Sequence, residues 1–312
     1  MAKRIFGVDL GGTTVKLGLF DEQGELLDKW EIPTRKEDSG SHILPDIADS
    51  VKAKMEEAGI EKNDVVGVGI GVPGPVDGKG VIHKAANLGW GVFSIREELA
   101  VLLGGIPVEA GNDANVAALG EMWKGGGRGC ENMVAVTLGT GVGGGIIVDG
   151  KVLSGSNGAG GEIGHIHIVD EEEDACGCGN HGCLEQYASA TGVTRLARKR
   201  LEKDDKASSL RDGELSAKDV WDAVKAGDEL AVEVAEQFGD YLGKGLAAVA
   251  AVANPERFVI GGGVSKAGDI LFKYIVEPYK KYVFHGSRDA EFVLATLGND
   301  AGIYGAARLV LG

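Results

Sequence analysis

Within the stretch ACGCGNHGCLEQY (175–187), Cys176, Cys178 and Cys183 fall inside eight residues and Glu185 follows two positions later, in a chain with four cysteines. Thiols this dense serve either a disulfide or a metal. A CxC spacing leaves too little chain for an easy bridge between Cys176 and Cys178. The opening MAKRIFGVDLGG passes into a strand pattern with no apolar run long enough for a leader or a membrane span. That points to the cytoplasm, a reducing compartment where clustered cysteines are more often metal ligands. Three thiolates and one imidazole suit tetrahedral Zn²⁺, with the imidazole open between His165, His167 and His181. Cys130, outside the cluster, reads as an apolar filler.

A second chemistry is carried by glycine. The chain has 52 glycines, and two runs, DLGGTT (9–14) and TLGTGVGGG (137–145), combine them with hydroxyls between two strands. In the first, Gly11, Gly12, Thr13 and Thr14 offer backbone NH groups and hydroxyls to an anion; Thr137, Gly139, Thr140 and Gly141 do so in the second. Each alone could be a tight hairpin, and neither is a Walker A loop or a GxGxxG opening a helix. Two such copies, with Gly261, Gly262 and Gly263 as a third loop before a helix N-terminus, favour a nucleoside triphosphate. Asp9, at the end of a buried strand beside the first loop, is placed to hold Mg²⁺ through water. Lys16 reads either as a phosphate contact or as a solvated strand face.

Carboxylates complete the set. Asp113 in GNDANVAALGE stands at a strand end immediately before a helix, where it is either a general base or an N-cap. GAGGEIGH adds Glu162 and His165 among glycines that let the chain press close to a ligand, and carboxylates such as Glu162 and Glu185 can each accept from two hydroxyls.

These residues need elements to hold them. Residues 4–33 read as three strands around two turns, followed by a helix from about Ser41 to Ala58 closed by Gly59. Strands follow over 65–75 and 106–113, then a helix over 114–123. The first hairpin then returns: Val8, Leu10, Gly11 and Asp21 match Val136, Leu138, Gly139 and Asp149 at one constant offset, which implies an internal duplication. Helices are expected over 185–203, 216–226 (Ser216 and Asp219 as a capping box) and 228–253, strands over 257–265 and 291–298, and a last helix from about Asp300. Strands alternating with helices give an α/β class in two related lobes. The division is expected at 1–117 and 118–298, with 299–312 returning to the first lobe.

The motifs DLGGTTVKLG, GVPGPVD, NLGW, NDANVAALGE, TLGTGVGGG, GAGGEIGH, CGCGNHGCLE and IGGGVS, in this order over almost the whole chain, resemble the ROK family of sugar kinases, and within it the glucose-phosphorylating members of Gram-positive bacteria. The resemblance implies a two-lobed actin-like ATPase fold with ATP and sugar meeting in an interdomain cleft. It implies ATP-dependent phosphorylation of glucose at the 6-hydroxyl, N-acetylmannosamine and fructose being the rival sugars and polyphosphate or ADP the rival donors. It carries Asp113 over as the base, and Asn112, Glu162, His165, Glu185, the backbone of Gly74 and Asn87 as sugar contacts. It names His165 as the fourth ligand of a structural zinc that holds a sugar-contacting residue, while Cys183 sets Glu185. It also implies a homodimer. Gly111 stands where close relatives often carry Glu, so the orientation of the base is where the chain departs from the pattern.

Composition excludes other classes. The net charge of −15 opposes a nucleic acid backbone, and no basic run exceeds RKR (198–200). Some ROK relatives are repressors with an N-terminal helix-turn-helix, and with the first phosphate loop beginning at Asp9 that reading is not the one expected here.

Overall fold

In the computed structural model, which describes residues 3–83, 85–212 and 214–312, alternating apolar residues draw the start of the chain into a meander of β1 (Arg4–Leu10), β2 (Thr14–Asp21) and β3 (Leu26–Pro33). β1 and β2 pair antiparallel with Val8 opposite Leu17 and Leu10 opposite Val15, all four buried. After the single turn α1 (Glu37–Gly40), α2 (Ile43–Glu57) lays Ile43, Ile47 and Val51 on the same core, and Gly59 ends it at φ 62°. β4 (Val65–Val72) then pairs parallel to β1. A short hairpin, β5 (Val81–Ile82) with β6 (Phe93–Ser94), leads into α3 (Ile95–Leu102), capped by the Ser94 hydroxyl, and β7 (Val108–Asn112) pairs parallel to β4. α4 (Asp113–Lys124) follows without a break. The sheet order is β3-β2-β1-β4-β7.

The second sheet repeats that order. β8 (Met133–Leu138), β9 (Val142–Val148), β10 (Lys151–Val152), β11 (Arg257–Gly261) and β12 (Glu291–Leu294) run β10-β9-β8-β11-β12, with β8, β11 and β12 parallel. The expected duplication is thus visible as one topology used twice. Between β10 and β11 lie α5 (Glu185–Ala188), α6 (Ala190–Leu201), α7 (Ala217–Ala226) with its Ser216–Asp219 capping box, and α8 (Glu229–Ala253). The helix expected over 185–203 is divided because the buried Ser189 leaves the helical conformation (ψ 174°) and caps α6 through its hydroxyl. α9 (Ile270–Tyr282) and α10 (Ala301–Leu311) complete the chain.

Two compact units result: residues 1–129, 145–161 and 296–312 form one, and 130–144 with 162–295 the other. The expected division at 117/118 falls inside α4, whose whole length belongs to the first unit together with α10. In that unit Ile303 and Ala307 of α10 are buried against Ile5 and Phe20.

Candidate active site

In the first unit the glycine turn between β1 and β2 is closed by a bond from Gly11 N to Thr14 O at 3.0 Å, and Thr34 Oγ1 donates to Gly11 O at 2.8 Å. Gly12 and Thr13 are exposed at its tip. Asp9, the last residue but one of β1, pairs opposite Lys16. Its carboxyl lies against the start of α10, where a methyl on Gly302 would fall 2.5 Å from Asp9 Cγ. Burial pushes the Asp9 pKa up, and the Lys16 charge draws it partly back. Lys16 Nζ itself donates to Asn299 O at 3.1 Å. A half-shielded carboxylate of this kind suits a hard cation that keeps its waters.

The strand end of β7 removes one of the two roles left open for Asp113, that of N-cap. Asn112 is the N-cap: its Oδ1 accepts from Asn115 N at 3.1 Å, and its Nδ2 donates to Gly74 O at 3.2 Å. Asp113 is the first helical residue, so the cap reading fails by one position. Its Oδ1 accepts from Asn112 Nδ2 at 3.0 Å and from Ala114 N at 2.8 Å, and these two donors orient the carboxylate although position 111 is glycine. Gly74, at φ 124°, follows β4, while Asn87 lies exposed in a short turn (Ala86–Leu88) with no contact to Asn112 among the described bonds.

In the second unit Gly139, Thr140 and Gly141 form the tip between β8 and β9, with Gly139 N donating to Gly141 O at 3.0 Å; Thr137 is exposed on β8. Gly261 ends β11. Gly262 takes φ 85° with its α-carbon against Leu138, which brings the third glycine segment, including Gly263, beside the second. Glu185 begins α5, and its Oε2 accepts from Val142 N at 3.0 Å.

His165, Cys176, Cys178 and Cys183 converge, their ligand atoms all within 4.8 Å of one another. A tetrahedron with Zn–S bonds of about 2.3 Å has edges of about 3.8 Å. Cys178 Sγ lies 3.7 Å from Cys183 Sγ, and Cys176 Sγ lies 3.7 Å from His165 Nδ1, so the donor set fits such an ion. His167 is otherwise engaged: Nδ1 meets His181 O and Nε2 meets Asp170 Oδ1, both at 2.9 Å. His165 turns its other nitrogen, Nε2, toward Glu162 Oε2 at 3.9 Å. Burial pushes Cys176 up and Cys183 to about 12, whereas hydrogen bonding from the Asn180 backbone draws Cys178 down.

A feature the sequence reading missed braces the loop that carries the cysteines. Glu172, with its side chain 5% exposed, accepts from Arg195 at 2.5 Å and from the Tyr187 hydroxyl, while Arg195 also reaches Asp174 at 2.9 Å and lies over the Tyr187 ring. Nothing in the acidic run EEED (171–174) marks which carboxylate is buried, and Arg195 is one of several cations in α6, so the pairing shows only in space.

The ROK family model matches residues 5–312. The chain belongs to the ROK family. This ROK chain is 46% identical to a glucokinase of Halalkalibacterium halodurans, over 97% of its own length and 94% of the relative's, and 37% identical to a glucokinase of Thermotoga maritima over 98% and 97%. Among solved structures it is similar to a ROK hexokinase from Thermus thermophilus (TM-score 0.81, 34% identity, 98% and 97% covered). A ROK glucokinase from Streptomyces griseus in complex with glucose and AMPPNP matches with TM-score 0.73 and 35% identity, 98% of each chain being covered. Its two sheets of like topology are those of the actin-like ATPase fold.

Proposed function

We propose that this ROK protein transfers the γ-phosphoryl group of ATP to the 6-hydroxyl of glucose, giving ADP and glucose 6-phosphate. The reading is carried by the likeness, over nearly the whole chain, to glucokinases, one of them solved with glucose and AMPPNP. In this reading Asp113 takes the proton of the 6-hydroxyl as its oxygen attacks phosphorus in line and the bond to the β-phosphate oxygen breaks. The bonds from Asn112 Nδ2 and Ala114 N leave its carboxylate little freedom, which is what a base needs before the hydroxyl arrives. Asn112, Glu162, His165 and Glu185 take the sugar hydroxyls, with Gly74 and Asn87 at the edge of the set. Backbone NH groups and hydroxyls of 11–14, 137–141 and 261–263 hold the phosphates.

Mg²⁺, held near Asp9 through water, would neutralise charge on the transferring group. Zn²⁺ on His165, Cys176, Cys178 and Cys183 would be structural, fixing the orientation of His165 and the turn that carries Glu185. We further expect a homodimer, which sedimentation equilibrium checks.

Two measurements test the reading. A panel of hexoses with ATP, ADP and polyphosphate should give the highest kcat/KM for glucose with ATP; a higher value for N-acetylmannosamine or fructose rejects the sugar. Asp113→Asn should lower kcat by roughly 10² to 10⁴ while AMPPNP affinity holds, because a base acts in the transition state. Retention of more than about a tenth of kcat rejects the base.

A further inference from the structure

The Glu185 carboxylate reaches out of its own turn to the loop between β8 and β9. Its Oε2 accepts from Val142 N at 3.0 Å, and a methyl on Gly141 would overlap that oxygen and stand 2.9 Å from Glu185 Cδ. Gly141 has no positive φ, so its backbone would admit alanine; the space it leaves is filled by Glu185. The start of α6 grips the loop a second time, for Ala190 N donates to Gly139 O at 2.8 Å. The other carboxylate oxygen of Glu185 lies 3.6 Å from Cys176 Sγ. One side chain therefore touches both the second glycine loop and the cysteine cluster.

We propose that Gly141 is a positioning residue for sugar recognition: lacking a side chain, it lets Glu185 dock on the Val142 amide, and this makes the second phosphate loop part of the sugar site. The inference rests on the reading that Glu185 takes glucose hydroxyls and that residues 137–141 take phosphate. A carboxylate pinned through one oxygen presents its remaining acceptors in a fixed direction, so less freedom is lost when a hydroxyl binds. It also ties the two ligands. Whatever nucleotide does to the loop reaches Glu185, and by linkage glucose must alter nucleotide affinity by the same factor.

The test uses the full chain in four forms: wild type, Gly141→Ala, Glu185→Asp and the double variant, titrated calorimetrically with glucose and separately with AMPPNP. Gly141→Ala should weaken glucose by about tenfold or more, the loss expected when a hydrogen bond to a charged group is broken. AMPPNP should be affected less, whereas a general disruption of the loop would strike nucleotide first. Glu185→Asp draws the carboxylate back by one methylene and makes room for the methyl, so the double variant should bind glucose no worse than Gly141→Ala alone. Without any sugar, amide exchange at Val142 should quicken in Glu185→Ala and stay slow in Glu185→Gln, which keeps an acceptor; this decides the contact even if Gly141→Ala fails to fold. Glucose affinity unchanged in Gly141→Ala, or Val142 exchange unchanged in Glu185→Ala, overturns the positioning role. A wild type that binds no glucose overturns the functional reading instead.

Discussion

Cys178 is the exposed thiol of its cluster, while Cys176 and Cys183 are buried. Serine in its place therefore disturbs little packing and removes one of four donors. If the cluster is a structural zinc site, wild type should carry about one zinc per chain and Cys178→Ser clearly less. Elemental analysis of both proteins, paired with glucose titration, measures this. Glucose binding should weaken with the metal, since His165 Nδ1 stands at the cluster and Glu185 leans on Cys176. Full zinc occupancy in the variant would refute the ligand set. The cysteine spacing made this cluster legible from sequence, but which histidine stands beside it shows only in space, where His165 joins the three cysteines and both His167 nitrogens have other partners. The pair Asn112–Asp113 was undecidable for a related reason. Both residues cap helices well, and only the observed helix start, one position earlier than expected, assigns the cap to Asn112 and frees the Asp113 carboxylate from that task.

The loop carrying Cys176 is held to α6 and the α5 turn by the Glu172–Arg195–Tyr187 group, and its strength depends on pH. Burial alone would raise the Glu172 pKa. Hydrogen bonds from Arg195, the Tyr187 hydroxyl and the Asp174 amide outweigh it and hold the carboxyl at about 2, against an ordinary 4.5. A carboxyl depressed on folding adds stability that is full above its unfolded pKa and is lost as pH falls through the folded one. The window is therefore about pH 4.5 down to about 2, and the contribution is on the order of 3 kcal/mol. Glu172→Gln should lower stability at neutral pH by a comparable amount and flatten its decline across that window. Denaturant unfolding at stepped pH measures both; equal slopes for variant and wild type would contradict the brace. Helices such as α7, with its capping box, were readable because their signals are local. The break at Ser189 was not, since a hydroxyl that caps and a hydroxyl that rides on a helix look alike until the backbone turns.

The duplicated hairpins were visible along the chain because a strand–glycine turn–strand pattern survives as spacing, and the shared sheet order bears that out. The division of the chain was harder to foresee, because residues 145–161 and 296–312 join the first unit through contacts remote in sequence. Glu121, the last residue of NDANVAALGE, shows how that return is secured. It is 4% exposed, and its carboxylate accepts from Gly126 N at 2.8 Å, Leu297 N at 2.9 Å and Thr296 N at 3.1 Å. The last two amides belong to the segment that leads into α10, whose apolar face buries Ile303 and Ala307 against β1 and β2. Removing the acceptor breaks three hydrogen bonds to a buried carboxylate, at about 1.5–3 kcal/mol for a bond to a charged group. Glu121→Ala should therefore lower the thermal midpoint by several degrees, at roughly 2–4 °C per kcal/mol for a unit of this size. Glu121→Gln, which keeps one carbonyl acceptor, should lose less. Hydrogen exchange at Thr296 and Leu297 should quicken in Glu121→Ala ahead of the β1 and β4 amides, because α10 would loosen before the sheet opens. A midpoint equal to wild type, or exchange that quickens uniformly through the unit, would remove Glu121 as the tie that holds the returning chain.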